Sequence, residues 1–137
     1  MSHNLNKLES KRESLHDKLF DLGDFRRGTI SVNYRKCGKK NCACAKPDHP
    51  GHGPQYLWNT TIKGKSYAKN LKLGPELQKY MNETDNYRRF IELCDEIIQV
   101  NEKICDSRPF PSIDNKDEAE SLKKKLQLHF KRKLRKK

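Results

Sequence analysis

The chain has 137 residues, of which 33% are hydrophobic and 35% are charged, and its formal net charge is +12. This length predicts one small domain with a tail, and the composition predicts a thin core. The positive charge favours a polyanionic partner, nucleic acid before an anionic membrane surface. Because we see neither an apolar leader pattern nor a membrane-length apolar stretch, we expect a cytoplasmic protein with no membrane partner.

The first predicted element is an amphipathic helix over about residues 3–22, within an N-terminal segment at 1–25. Its leucines recur at alternating spacings of three and four, which is a heptad stripe with one charged interruption at Arg12. Gly23 is expected to end the helix. Because the stripe is only about three heptads long, the helix needs a partner to cover it.

A small antiparallel sheet is predicted in the middle segment, 26–107. Apolar and polar residues alternate over 28–36, 56–62 and 66–71, which predicts three strands. The turn at 63–65 joins the last two strands as a hairpin. The loop before the second strand therefore connects the first strand to this hairpin.

A long helix is predicted over 75–107, because Pro75 suits a first helical turn and Pro109 cannot continue the helix. Its stripe predicts pairing with the first helix in a coiled-coil-like hairpin, or contact with a second copy or a protein partner. The stripe runs through Leu77, Tyr80, Thr84, Tyr87, Ile91, Cys94, Ile98, Asn101 and Cys105, and Phe90, Ile97 and Ile104 widen it on one flank. Within it, Cys94 and Cys105 are expected to be buried as small apolar side chains.

The final segment, 108–137, is predicted to be a linker followed by a basic C-terminal arm. The arm is helix-capable and has a narrow apolar stripe at Leu122, Leu126, Phe130 and Leu134. Its composition is that of a segment that orders on binding.

Five metal-type side chains lie in one Gly- and Pro-rich loop, residues 37–55, which we call the ligand loop: Cys37, Cys42, Cys44, His49 and His52. Thiolate and imidazole are the donors of tetrahedral Zn²⁺ sites, and the close spacing lets one loop wrap an ion. The three cysteines are the firmest ligands. His52 is favoured as the fourth, and His49 is the alternative. The competing interpretation is a set of reduced surface thiols without metal.

A zinc ion in this loop is expected to be structural rather than catalytic. Catalytic zinc needs an open position and an acid or base beside it. The sequence has no glutamate between Glu13 and Glu76, and the carboxylates nearest the loop are Asp24 and Asp48. We therefore expect that the protein is not an enzyme.

Basic residues crowd the loop and the C-terminal arm. Residues 26–72 contain one acid, Asp48, and residues 123–137 contain none. Phosphate contacts are predicted for Arg35, Lys36, Lys39, Lys40, Lys63, Lys65, Lys131, Arg132 and Lys133.

Aromatic residues lie between the basic ones, at Tyr34, Tyr56, Trp58 and Tyr67. They either stack on bases or form the core behind the sheet, and the core interpretation is favoured. Because Tyr56 and Trp58 share a strand face, one face of the sheet is expected to be core and the other basic.

The sequence resembles an uncharacterised prokaryotic family, a domain of unknown function often met among mobile-element genes. The resemblance covers roughly residues 26–100 and is carried by the C-G-K-x-x-C-x-C and H-G-P motifs and the segment 87–90. It implies shared ligand-type positions at Cys37, Cys42, Cys44 and His52, with His49 as an extra histidine. The mobile-element association favours DNA.

The sequence therefore predicts an α+β protein in which a three-stranded antiparallel sheet carries a zinc-knuckle loop. The sheet packs with a two-helix coiled-coil-like hairpin, and a basic C-terminal helix or tail follows. The predicted function is nucleic-acid binding, DNA before RNA, as an accessory or regulatory factor of a mobile element. The alternative is a coiled-coil protein-interaction adaptor with a structural zinc site.

Overall fold

A computed structural model describes residues 2–135 of the chain. In order, its elements are helix α1 (Ser2–Phe20), strand β1 (Thr29–Arg35), a 3-10 turn (Ala43–Ala45), strands β2 (His52–Ile62) and β3 (Lys65–Leu71), and helices α2 (Pro75–Ser107) and α3 (Lys116–Arg135). This arrangement confirms the predicted α+β class with one small antiparallel sheet. The last two residues of the predicted basic arm, 136 and 137, lie outside the described residues.

The three strands form one sheet in the order β1-β2-β3, and both neighbouring pairs are antiparallel. Ile30 of β1 lies opposite Trp58 of β2, which in turn lies opposite Lys69 of β3. The strand β2 begins at His52, earlier than the alternating pattern predicts, because His52 pairs with Arg35. The sheet therefore reaches into the ligand loop.

One core cluster joins the sheet to the first turns of α2. Its buried members are Leu71, Leu77 and Tyr80. Partly buried side chains of β1 and β2 pack against them: Ile30, Tyr56 and Trp58. Two of the four aromatic residues near the loop thus belong to the core, as the favoured interpretation predicts. The other two, Tyr34 and Tyr67, are 51% and 49% exposed.

A second core cluster joins α1 to the C-terminal half of α2. Its buried members are Leu15, Leu93, Val100 and Ile104, with Leu5, Leu8, Leu19 and Ile97 packed around them. Arg12, the charged interruption of the α1 stripe, also binds to α2: its Nη1 donates a hydrogen bond to Asn101 Oδ1 at 3.0 Å. The leucine stripe of α1 therefore finds its partner within the same chain.

The centre of the stripe predicted for α2 is wrong in its C-terminal half, whereas the predicted flank at Ile97 and Ile104 belongs to the core. The side chains that meet α1 follow Leu93 and Ile104, whereas Ile91 and Ile98 are 48% and 54% exposed. Cys105 is exposed, and Cys94 is half-buried, so the expected burial of both thiols is not found. The stripe through Leu93 and Ile104 and the stripe through Ile91 and Ile98 both recur at helical spacing. Only packing against α1 decides which of the two stripes faces the core.

The sheet face that points away from this core is polar and largely uncharged rather than basic. Its side chains bond to one another: Asn59 Nδ2 donates to Ser31 Oγ at 2.9 Å, and Asn33 Nδ2 reaches the same oxygen at 3.3 Å. Thr61 Oγ1 and Ser66 Oγ lie 3.4 Å apart. Lys69 lies within β3 on the core side of the sheet, and the other basic residues of this region lie at the ends of the strands or in the loops.

The chain divides into two compact units, of which the first ends at Ile104 and the second begins at Cys105. In the second unit, α3 is capped by Asn115, whose Oδ1 accepts a hydrogen bond from the Asp117 amide at 2.8 Å. Acidic residues in its first turn and basic residues in its last turn complement the helix dipole. The apolar stripe of α3 is exposed at Leu122, Leu126, Phe130 and Leu134.

Candidate metal centre

Three thiols and one imidazole converge where β1 ends and β2 begins. The donor atoms of Cys37, Cys42, Cys44 and His52 all lie within 4.8 Å of one another. Cys37 Sγ lies 3.5 Å from Cys44 Sγ, and Cys42 Sγ lies 3.1 Å from His52 Nε2. These four are the ligands favoured from the sequence, and together they could bind a metal ion.

The backbone of the ligand loop folds as a series of tight turns. The Cys42 amide donates to the Lys39 carbonyl at 3.3 Å, and the Ala45 amide donates to the Cys42 carbonyl at 3.0 Å. Gly38 has φ +82°, the left-handed conformation expected at this position. The turns bury Cys44, which is 1% exposed, beneath the other two thiols.

Two glycines hold His52 in its place against β1. A Cβ atom on Gly51, which has φ +112°, would lie 2.8 Å from the Arg35 carbonyl carbon. A Cβ atom on Gly53, which has φ +139°, would lie 2.8 Å from the Asn33 carbonyl oxygen. Only glycine allows the backbone on both sides of His52 to approach β1 this closely, so the imidazole reaches the thiols.

His49, the alternative ligand, lies outside the cluster of four. Its Nδ1 accepts a hydrogen bond from the Gly51 amide at 3.0 Å. Its own amide donates to the Lys46 carbonyl, also at 3.0 Å. The side chain therefore supports the turn that leads to His52.

The local surroundings shift the pKa values of two of the thiols in opposite directions. The Lys39 backbone amide first, and then the His52 and Cys44 side chains, lower the pKa of Cys37 to about 6. The Cys37 amide also lowers the pKa of Cys44, but burial and the neighbouring thiols outweigh it and leave that pKa above its ordinary value. Because the thiolate is the metal-binding form, the lowered pKa of Cys37 favours its binding to a cation.

The arrangement fits a tetrahedral ion. With Zn–S near 2.3 Å and Zn–N near 2.0–2.1 Å, tetrahedral donor atoms lie roughly 3.4–3.8 Å apart. The closest S–S and S–N separations here, 3.5 and 3.1 Å, need only small side-chain adjustments to match that geometry. Three thiols and one imidazole fill all four positions with protein atoms, which is typical of structural metal sites.

The predicted phosphate-binding residues lie in three separate places. Arg35, Lys36, Lys39 and Lys40 are exposed beside the ligand loop, and Lys36 Nζ donates to the Lys46 carbonyl at 3.1 Å. Lys63 and Lys65 lie at the opposite end of β2, whose 11 residues span roughly 35 Å. Lys131, Arg132 and Lys133 are exposed on α3, in the second unit.

One arrangement near the sheet is not foreseen from the sequence. Arg26 Nε lies 3.0 Å from Glu83 Oε1, and its guanidinium lies over the rings of Tyr80 and Trp58. Lys69 Nζ donates to the Tyr80 hydroxyl from the other side, at 3.1 Å. In the sequence, only the neighbouring arginines Arg26 and Arg27 hint at this arrangement. Nothing in the sequence indicates which of the two guanidinium groups packs against the rings.

Comparison with known proteins places the chain in a family. A family model described as a domain of unknown function, DUF6788, matches residues 5–79. The match covers more than half of the chain, so the protein belongs to this family. The matched region includes most of α1 and ends in the first turns of α2, whereas the resemblance noted from the sequence left the N-terminal helix out. No curated protein and no solved structure shows significant similarity to the chain.

Within residues 2–135, none of the helices combines the length and the apolar character that crossing a bilayer requires.

Proposed function

We propose that this protein is a zinc-stabilised nucleic-acid-binding protein that prefers DNA to RNA. One observation carries the proposal. The turns that gather Cys37, Cys42, Cys44 and His52 also present Arg35, Lys39 and Lys40 to solvent. A metal that fixes these turns fixes the positions of their cations as well.

Zinc is the metal that the donor set favours. Thiolates and imidazoles are soft or borderline ligands, whereas magnesium and calcium take oxygen ligands. The cluster of donors contains no carboxylate and leaves no fourth position for water, so the proposed role is structural rather than catalytic. A cytosolic location belongs to the proposal, because thiols stay reduced there.

The spacing of the cations suggests how the nucleic acid lies. Lys39 and Lys40 lie toward one end of β2 and Lys63 and Lys65 at the other, and the strand between them is roughly 35 Å long, which is about one turn of a duplex. A short fragment reaches one group and a longer one reaches both. The basic arm in the second unit adds phosphate contacts of its own.

The role as an accessory or regulatory factor of a mobile element is also part of the proposal. It rests on the resemblance noted from the sequence. The preference for DNA rests on the same association.

A salt titration tests the proposed function. The zinc-loaded full-length chain is titrated with labelled DNA and RNA of about 20 nucleotides, and affinity is measured from about 50 to about 200 mM salt. We expect the chain to bind DNA. The logarithm of the binding constant should fall linearly with the logarithm of the salt concentration, because phosphate contacts release counterions. Absence of binding to both nucleic acids at the lowest salt overturns the proposal.

Matched charge variants locate the contacts. The pair Lys39→Gln and Lys40→Gln is expected to lower the salt slope by about two, one for each lost phosphate contact. The pair Lys7→Gln and Lys11→Gln removes the same charge from exposed positions of α1 and serves as the control. Equal slopes for the two pairs would show that binding depends on net charge alone and would remove the ligand loop from the interface.

A second candidate function is favoured by the exposed stripe of α2. Ile91 and Ile98 lie one heptad apart and are about half exposed. An adaptor would use this stripe for a protein partner or for a second copy. Sedimentation of the wild-type chain and of Ile98→Glu tests self-association: a dimer that the variant abolishes supports the adaptor, and two monomers contradict self-association through the stripe.

A further inference from the structure

A polar cleft of about 550 Å³ opens at the hairpin end of the sheet. Its walls come from the segment before β1, from the ends of β2 and β3 that face the hairpin turn, and from α2. The volume falls within the range of roughly 300–1,000 Å³ that is typical of small-molecule pockets. The cleft lies at the far end of β2 from the metal centre, so it is a separate site.

Two tyrosine rings line the cleft. Tyr67 lies on the edge strand β3 and is 49% exposed, so one side of its ring is open to a ligand. Tyr87 is half-buried on α2, and its ring centroid lies 6.3 Å from that of Phe25, which supports it from behind. Exposed aromatic rings beside cations are the usual platforms for unstacked bases.

The charge in the cleft is supplied by Arg27. Its neighbour Arg26 is bound to Glu83 at 3.0 Å, whereas Arg27 takes part in none of the ion pairs formed among the described residues. Its backbone is held firmly, since Trp58 Nε1 donates to the Arg27 carbonyl at 2.9 Å. No carboxylate lines the cleft to compete for the guanidinium.

One hydroxyl group completes the lining. Thr60 lies opposite Tyr67 and shares its sheet face, whereas the side chains of Asn59, Thr61 and Ser66, which also border the cleft, lie on the opposite face of the sheet. A hydroxyl group donates and accepts hydrogen bonds without carrying charge. The lining thus combines flat aromatic surface, a neutral hydrogen-bonding group and one cation.

We propose that this cleft binds one unstacked nucleotide of a single-stranded nucleic acid. The base lies against Tyr67 and Tyr87, its edge meets the Thr60 hydroxyl group, and Arg27 binds the phosphate. The proposal rests on the proposed nucleic-acid function and specifies the form of nucleic acid that the sheet end accepts. A duplex keeps its bases stacked and cannot place one between the two tyrosines.

The test compares strands that have the same charge but differ in their bases. The zinc-loaded full-length chain is titrated with labelled oligo(dT), with an abasic strand of equal length, with the matching duplex and with oligo(rU), each of about 12 nucleotides. We expect oligo(dT) to bind at least about fivefold more tightly than the abasic strand, because each stacked base adds affinity. Equal affinity for oligo(rU) supports recognition of the base, whereas tighter binding of oligo(rU) contradicts the preference for DNA in the proposed function.

Variants assign the effect to the cleft. Tyr67→Ala is expected to remove the preference for base-bearing strands and to leave the abasic affinity unchanged. Arg27→Gln is expected to weaken the binding of both oligo(dT) and the abasic strand, and to lower the salt slope of binding by about one. Tyr34→Ala, which replaces a tyrosine of similar exposure outside the cleft, is the control and should keep the preference. Thermal unfolding of each variant verifies that it is folded.

The outcomes separate the two proposals. Equal binding of oligo(dT) and the abasic strand, or tighter binding of the duplex, overturns the nucleotide cleft and leaves the phosphate contacts of the proposed function intact. If Tyr67→Ala keeps the preference for oligo(dT) over the abasic strand, the proposed nucleotide site in the cleft is also overturned. Absence of binding to any strand overturns both proposals together.

Discussion

The guanidinium carbon of Arg26 lies 3.9 Å from the centroid of the Tyr80 ring. The same side chain pairs with Glu83, and the Arg26 amide donates to the Glu83 carbonyl at 3.1 Å. Through these contacts the segment that leaves α1 is bound to α2 and to the edge of the sheet core. One side chain therefore ties the segment between α1 and β1 both to the sheet core and to α2.

We expect Arg26→Met to lower the free energy of unfolding by about 1–3 kcal/mol, because it leaves a largely buried Glu83 with one cation instead of two. The measurement is the urea unfolding midpoint of the metal-loaded chain. Arg88→Met is the control, since the Arg88–Asp85 pair is exposed and such pairs contribute about 0–1 kcal/mol. Equal midpoints for the two variants would contradict a structural role for Arg26.

The stability of the fold should also depend on the ionisation of Glu83. Lys79, and then Arg26, hold the pKa of Glu83 below its ordinary value of 4.5. A carboxyl group with a lowered folded-state pKa stabilises the fold above its unfolded pKa, and this contribution is lost as the pH falls through the folded value.

We therefore expect Glu83→Gln to have a shallower loss of stability than wild type as the pH falls from about 6 to about 3. Urea unfolding at each pH measures it. Acid also protonates the thiol and imidazole ligands in both proteins, so the quantity to compare is the difference between the two curves. Parallel curves would show that Glu83 has no part in acid stability.

The two apolar stripes of α2 should respond differently to truncation. Leu93 is 1% exposed in the core with α1, whereas Ile98 is 54% exposed. We expect Leu93→Ala to cost about 2–5 kcal/mol, since it removes buried surface and leaves a cavity. Ile98→Ala should cost less than about 1 kcal/mol. Chemical denaturation of both variants checks the packing, and equal losses would contradict it.

Metal content should distinguish the two histidines of the ligand loop. We expect the wild-type chain to hold about one zinc ion, and His49→Ala to keep it, because the His49 imidazole bonds to the Gly51 amide instead. His52→Ala should lose metal or bind it more weakly, and Cys42→Ser should lose both metal and fold. The metal is measured by elemental analysis of purified protein after dialysis against metal-free buffer.

The reverse result is equally informative. Retention of metal by His52→Ala together with its loss from His49→Ala would move the fourth ligand and contradict the site geometry. A folded wild-type protein without metal would remove the site altogether.

Local sequence signals were sufficient for the ligand cluster and for most of the elements. Cys37, Cys42 and Cys44 lie so close along the chain that any compact loop brings them together. The strands and helices follow periodic patterns of two and 3.6 residues, and their predicted ends lie near the observed ones. The start of β2 was missed because Gly51 and Gly53, which usually interrupt strands, here let the chain pair with β1.

Features that depend on distant contacts were not accessible from the sequence. Ile91 and Leu93 are equally apolar, and only the docking of α1 selects Leu93 for the core. In the same way, Arg26 and Arg27 look alike in the sequence, and the position of Glu83 on α2 decides which of them is neutralised. Lys63 and Lys65 are close to the ligand loop in sequence, yet the length of β2 separates them from it.

The positions of the ligands at the two ends of the loop have a consequence for folding. Cys37 follows β1 closely, and His52 is the first residue of β2. Ordering the long segment between them costs entropy that a two-residue turn avoids, and its length alone sets no register. A metal ion bound by residues at both ends would close this segment and fix Ile30 opposite Trp58. A slip of one residue would turn the apolar face of β2 toward solvent, so loss of metal is expected to release the alignment of the strands before it melts the helices.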